Sequence, residues 1–283
     1  MKNLLLVCGL VAASFSLQAQ IKTPAPSPVC KMNQEVGLIK VDIEYSRPSA
    51  RGRKVFGDVV QFGEMWRTGA NASTKVTFSD EVIVGNDQKL PGKQYALYTI
   101  PGAAEWTIIF YKETKFWGIP GEDYKDEDVA AKFTVPVKSL KDPVETFTIN
   151  LDNVRNSSAD IVLTWENTKI VIPFRIDTDT KVMADIKAQM EGPSASTYYQ
   201  AARYYFEEKK DMKQALEWVT KSLEKGGDKF WILQLKAKIQ GELGKYSDAI
   251  ATAQKSSELA MKENNTDYPR ANDKLIAEWK KKM

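Results

Sequence analysis

Residues 170–186 read IVIPFRIDTDTKVMADI, and the spacing of apolar side chains changes within them. Ile170, Ile172, Phe174 and Ile176 recur at every second position, the period of a strand with one buried face. Past Asp177, the residues Val182, Met183, Ile186 and Met190 fall on one side of a helix instead. This switch predicts a mixed, two-domain chain: a β domain over residues 29–178, then an all-α domain over residues 179–283.

Upstream, the two-residue period recurs. Ile39, Val41, Ile43 and Tyr45 alternate with Lys40, Asp42 and Glu44, and the same pattern runs through Thr74, Val76, Phe78, through Trp106, Ile108, Phe110, through Phe133, Val135, Val137 and through Ile161, Leu163, Trp165. Turn signals separate these runs, among them Gly85-Asn86-Asp87, Pro91-Gly92, Pro101-Gly102 and Asn156-Ser157-Ser158. Short strands and frequent turns, with no long amphipathic helix between them, predict an antiparallel β-sandwich or barrel-like domain rather than a parallel α/β sheet. One helical turn is expected in this half, over residues 126–132, with Asp126 as its N-cap.

Downstream, an offset of 34 residues carries Ala215 onto Ala249, Met212 onto Tyr246, Leu216 onto Ile250, Lys221 onto Lys255 and Ser222 onto Ser256. That period resembles the tetratricopeptide repeat, in which small residues let paired helices pack closely. First helices are expected over residues 196–208 and 229–243. Because one hairpin cannot bury its apolar face alone, residues 180–190 and 267–282 are expected to be helices completing the ends, with Lys280, Lys281 and Lys282 solvating the last one. The stretch Glu191-Gly192-Pro193-Ser194 reads as either a hinge or a tight turn.

At the N-terminus, Lys2 precedes an apolar run over residues 4–15, followed by Ala19. That layout predicts a signal peptide over residues 1–19 and an exported chain, held in the periplasm or cell envelope or secreted. Cys8 sits within the run, but Val7 before it lacks the small side chain of a lipoprotein signal. Residues 20–28 carry Pro24, Pro26 and Pro28 and read as a proline-rich linker. The run is too short to span a bilayer, and no later segment is apolar for that length, so no transmembrane segment is expected in the mature chain. Removal of the leader leaves Cys30 alone, which excludes an internal disulfide. A net charge of +3 is too small to point to nucleic acid.

Several ordered motifs of the β half carry a resemblance. These are Tyr45-Ser46-Arg47-Pro48-Ser49, Gly52-Arg53, Phe56-Gly57, Trp66-Arg67-Thr68-Gly69-Ala70-Asn71, and Tyr95-Ala96-Leu97-Tyr98-Thr99-Ile100-Pro101-Gly102 with Glu105-Trp106-Thr107-Ile108. Together they resemble a bacterial exported family carrying a domain of unknown function (serial 2911), whose members are sometimes followed by helical repeats. The resemblance covers roughly Pro28 to Ile176. It implies no activity and no catalytic residues.

Absence narrows the chemistry. The sequence has no histidine, which removes Ser-His-Asp and Cys-His nucleophile pairs and histidine-ligated metal centres. No metal site and no cofactor is expected: Gly52, Gly57, Gly63 and Gly69 lack the spacing of a phosphate loop, and Glu122, Asp123, Asp126, Glu127 and Asp128 lack that of a calcium loop. The carboxylates left for catalysis are Asp58 and Glu64, near Arg67, a pair that would serve a histidine-free hydrolase flanking a glycosidic bond. Surface charge, or an ion pair with Arg53 or Arg67, is the alternative.

Arg47, Arg51, Arg53, Trp66, Arg67 and Asn71 lie in the longest loop-like stretch of the β half. Guanidinium forks bind carboxylate or phosphate, and Trp and Asn read sugars, so a glycan or small anion is one expectation. The other is that these donors satisfy the loop's own carbonyls. Trp106, Trp117, Tyr95, Tyr98 and Tyr111 would make an aromatic platform, but alternation sends at least one of the two tyrosines on the Tyr95–Tyr98 strand into the core. Tyr198, Tyr199 and Tyr205, with Tyr204 and Phe206, would line a groove for a protein partner, or pack between helices. The leading expectation is a non-catalytic envelope protein that binds through the β domain, the helical repeats or both. A hydrolase and a pure scaffold are the alternatives.

Overall fold

The computed structural model describes residues 23–189 and 192–283. The leader over residues 1–19, the first linker residues, Met190 and Glu191 lie outside the described residues. The chain separates into two compact units at Asp177 and Thr178, where the side-chain period changes. Among the described residues no helix is long and apolar enough to cross a membrane.

The first unit contains β1 (Val29–Val36), β2 (Ile39–Ser46), β3 (Thr74–Phe78), β4 (Val82–Val84), β5 (Gln88–Leu90), β6 (Gln94–Ile100), β7 (Glu105–Tyr111), β8 (Val129–Pro136), β9 (Lys138–Asp152) and β10 (Ser158–Arg175). One sheet has the order β1-β2-β3-β6-β7-β8 and the other β5-β4-β10-β9. Every pairing is antiparallel. Both sheets are open and feed a single apolar core, so the unit is a sandwich rather than a closed barrel. Alternation places that core: on β2, Ile39, Val41, Ile43 and Tyr45 are buried while Lys40, Asp42 and Glu44 are exposed. Tyr45 fastens the layers together, its hydroxyl donating to the Ile149 carbonyl (3.1 Å) and accepting from the Ile149 amide (2.9 Å).

The helical turn expected over residues 126–132 is shorter than the sequence suggests. A single 3-10 turn spans Asp126–Asp128, Lys125 rather than Asp126 precedes it, and no side chain caps it. Val129 onward joins β8, because Ala131, Phe133 and Val135 alternate into the core and pair along β7. A full ladder of strand hydrogen bonds outweighs one helical turn.

The second unit has α1 (Thr178–Gln189), α2 (Ala195–Glu207), α3 (Met212–Gly226), α4 (Phe230–Glu242), α5 (Tyr246–Lys262) and α6 (Asp267–Lys280). Ser194 caps α2 by accepting from the Thr197 amide, and Asp211 caps α3 by accepting from Lys213 and Gln214. The 34-residue offset links the starts of α3 and α5. Fully buried Ala202, Ala215, Ala249 and Ala253 let the helices approach closely. Near the end of the chain, buried Asn272 accepts from Gln234 and donates to the Ala253 carbonyl and the hydroxyls of Ser256 and Ser257.

Candidate functional site

The chain between β2 and β3 is pinned by Trp66. Its backbone exchanges hydrogen bonds with Thr99 of β6 (2.7 and 3.0 Å), and its indole Nε1 donates to the Gly69 carbonyl (3.0 Å). The ring packs with Phe56, Trp106, Phe147 and Trp165, so Trp66 belongs to the core. The turn that follows carries left-handed backbone at Thr68 (φ +54°) and Asn71 (φ +59°). For a β-branched residue this conformation is strained and needs support. Support comes from the Thr68 hydroxyl, which donates to Thr99 Oγ1 (3.1 Å), and from Thr74 Oγ1, which donates to the Thr68 carbonyl (2.6 Å). At Gly69 (φ +155°) a Cβ would lie 2.9 Å from the Ser46 carbonyl oxygen, so only glycine fits.

The arginines named from sequence have separate partners. Arg47 donates to the Phe147 carbonyl and Thr148 Oγ1 (3.1 and 2.7 Å). Arg53 donates to the carbonyls of Ala50 and Ser49 (3.0 and 2.9 Å). Arg51 reaches the Pro26 carbonyl (3.1 Å), and Asn71 reaches the Ser27 carbonyl and Ser46 Oγ (3.2 and 3.3 Å), so two of these side chains hold the proline-rich segment. Arg67 differs. Its NH1 donates to the Asn71 carbonyl (2.9 Å), and no described residue accepts from its Nε or NH2. Hydrogen bonds thus connect Arg67 with Asn71 but join neither to Arg47 or Arg53. Asp58 and Glu64 stand exposed, and among the described ion pairs neither meets Arg53 or Arg67.

A second buried face lies beside Arg67. On β6 and β7, Tyr95, Leu97, Trp106, Ile108 and Phe110 enter the sandwich core. Ala96, Tyr98, Ile109 and Tyr111 point the other way and are fully buried against Phe116, Tyr124 and Val129. The aromatic platform is therefore absent apart from Trp117, which is 76% exposed. Among the described residues the buried Tyr98 hydroxyl has no hydrogen-bond partner, a condition that costs roughly 1–3 kcal/mol. Burial pushes its pKa up, while the nearby Ser73 hydroxyl and Arg67 guanidinium pull it back. Ser73 itself donates to the Phe116 carbonyl (3.5 Å). Alternation alone had signalled only that a tyrosine on β6 would be buried. No local pattern marks Ser73 or the loop over residues 112–128 as its neighbours.

In the helical unit two hollows of about 510 and 550 Å³ adjoin along α3 and share Thr220 and Glu224 as lining residues. Leu216 and Leu243 line one, and Leu223, Leu233 and Ala251 the other. Tyr199 and Tyr205 instead pack half-buried against the helical core, and burial raises the pKa of Tyr199. Tyr198 lies under the Lys221 ammonium, 5.7 Å from its ring centre. Sequence reasoning missed the α3 hollows because their walls come from three helices.

Among the described residues no group of three or more cysteine or carboxylate side chains is placed to hold a metal ion. A family model described as "Protein of unknown function (DUF2911)" matches residues 27–174. No curated protein and no solved structure matches the chain.

Proposed function

The chain belongs to the DUF2911 family of proteins of unknown function, and from that premise we propose that it is an exported, non-catalytic binding protein whose helical unit holds a segment of a partner chain. The observation that carries this reading is the pair of adjoining hollows along α3. Concave surfaces with apolar walls and a few polar groups are where ligands lodge.

The walls describe the partner. The lining leucines suit apolar anchors, and the same walls carry Lys213, Lys221, Lys236, Lys245 and Lys255 against Glu217, Glu224 and Asp228. Lys221 pairs with Glu217 and Lys255 with Asp228, which leaves a surplus of positive charge. An amphipathic segment with acidic residues between its apolar positions complements that surface. The hydrolase alternative has less behind it, since Asp58 and Glu64 stand in solvent outside both hollows.

The test is fluorescence anisotropy on the whole mature chain with labelled fifteen-residue peptides, acidic-amphipathic in one set and basic-amphipathic in the other. Saturable binding of the acidic set, lost in Thr220→Trp, which fills the shared wall without changing charge, supports the reading. Equal binding by both sets, or binding indifferent to Thr220→Trp, defeats it in favour of a scaffold. Export rests on Lys2, the apolar run and Ala19. Intact mass of protein from an envelope fraction should give a chain beginning at Gln20, and retention of Met1–Ala19 would refute export by this leader.

A further inference from the structure

Arg67, Ser73 and Tyr98 share a condition unlike that of the other polar side chains around the 66–74 turn. Among the described residues the buried Tyr98 hydroxyl has no hydrogen-bond partner. Arg67 engages its NH1 alone, whereas Arg47 and Arg53 each commit Nε and NH2 to neighbouring oxygens. Ser73 donates only across 3.5 Å, at the limit of a hydrogen bond. Three donors in one neighbourhood are thus unspent or weakly spent.

The chain between β7 and β8 lies over them. Its base is fastened where the Lys112 amide meets the Asp128 carbonyl (2.8 Å). Beyond that base, its polar ties among the described residues to the chain beneath it are the Phe116 carbonyl on Ser73 (3.5 Å) and the Lys125 amide on the Tyr111 hydroxyl (2.9 Å). Gly118 (φ +117°) lies directly over the guanidinium, and a Cβ there would be 3.3 Å from Arg67 NH1. Gly118 and Gly121 (φ +58°) both take left-handed backbone in this stretch, while Trp117 and Ile119 are exposed. A covering segment with two glycines and few polar ties, held mainly by the packing of Phe116 and Tyr124, is the kind that opens.

We propose that residues 113–125 are a lid over a carboxylate-binding site whose donors are Arg67 Nε and NH2, the Tyr98 hydroxyl and the Ser73 hydroxyl. A carboxylate matches the flat edge of a guanidinium with two parallel bonds and leaves an oxygen lone pair for the phenol. The lid itself carries Glu113, Glu122 and Asp123 against Lys115 and Lys125, and Lys115 is paired with Glu113. That excess of negative charge works against a dianionic phosphate more than against a single carboxylate. Geometry brings the donors together: the antiparallel pairing of Trp66 with Thr99 sets Arg67 opposite Tyr98 on the same face, and Ser73 reaches the Phe116 carbonyl of the segment packed on Tyr98. This inference is independent of the helical hollows.

The test is calorimetric titration of the whole mature chain with sodium acetate, sodium glucuronate, glucose and phosphate at matched ionic strength. Saturable binding of glucuronate alone identifies a sugar acid, and binding of both carboxylates identifies the bare carboxylate as the recognised group. Tyr98→Phe keeps the ring and removes a hydroxyl that has no partner among the described residues, so the fold persists while affinity falls roughly tenfold. Arg67→Gln should weaken binding further, and if it fails to fold, Ser73→Ala with Tyr98→Phe still decides the matter. Absence of saturable binding by both carboxylates, preference for glucose or phosphate, or unchanged affinity in Tyr98→Phe overturns the site. Amide exchange in residues 113–125 should slow on saturation, and unchanged exchange overturns the lid.

Discussion

The Ser222 hydroxyl donates to the Ala195 carbonyl oxygen across 2.8 Å, tying α3 to the first turn of α2. Ser256, 34 residues further on, donates to the Phe230 carbonyl at 2.7 Å and ties α5 to α4 in the same way. A carbonyl at a helix start already accepts a bond within its own helix, and a second bond to it fixes how the partner helix is placed along its axis. The internal similarity in sequence is thus a similarity of joints.

Ser256→Ala removes one of these joints and one of the partners of Asn272. The helical unit should lose roughly 1–3 kcal/mol, because buried groups are left unmet. Urea unfolding followed by far-ultraviolet circular dichroism measures it, and Ser256→Thr should recover part of the loss.

Gly241→Ala should destabilise the same unit from the opposite cause. A Cβ at position 241 would lie 2.5 Å from Trp279 Nε1, and Trp279 is buried against Ala237, Ala249 and Ala253. Overpacking of this kind costs roughly 1–3 kcal/mol. A lowered thermal midpoint is the expected result, while an unchanged midpoint would mean α6 shifts freely.

Tyr45→Phe removes a hydroxyl that both donates to and accepts from Ile149 across the two sheets. Two buried backbone groups lose their partner, and a penalty of roughly 2–3 kcal/mol is expected in denaturant unfolding of the β unit. Near-native stability in this variant would show that β9 finds other partners.

Alkaline pH should weaken the β unit. Burial is the largest cause raising the pKa of Tyr45, Tyr95 and Tyr98 above the ordinary tyrosine value of 10.0. Folded phenols therefore keep their protons where unfolded ones release them. Their contribution to stability is fully present below about pH 10 and is lost as pH rises through the folded values. A urea midpoint that is flat from neutral pH to about pH 9 and falls above about pH 10 is expected, with a shallower fall in Tyr45→Phe.

Much of the architecture is legible in side-chain period, because β2, β3, β7 and β10 have one face in a common core and repeat every two residues. β9 escapes such a reading, since residues 138–145 are mostly exposed and carry Pro143, and only Phe147, Ile149 and Leu151 alternate inward. The 126–132 segment misleads because a capping-type aspartate precedes residues whose burial is decided by β7, far off in sequence. Among site residues, sequence isolates the arginines by type but cannot rank them. What separates Arg67 from Arg47 and Arg53 is which carbonyls happen to lie within reach, and that depends on β9 and on the turn at Thr68. Tyr98 shows the same limit: burial was foreseeable for a strand tyrosine, an unanswered hydroxyl was not.

The Trp66 ring centre lies 5.9 Å from that of Trp165, on which it stacks, and 6.0 Å from that of Trp106, to which it is set edgewise. Indole transitions at such separations mix, so the β unit should give a split near-ultraviolet dichroic band that vanishes when the layers come apart. Trp117, alone in solvent, should emit to the red of these three and be quenched first by iodide. The β unit therefore carries two optical signals, one reporting the integrity of the sandwich and the other the position of the 113–125 segment, beside the emission of Trp218, Trp231 and Trp279 in the helical unit.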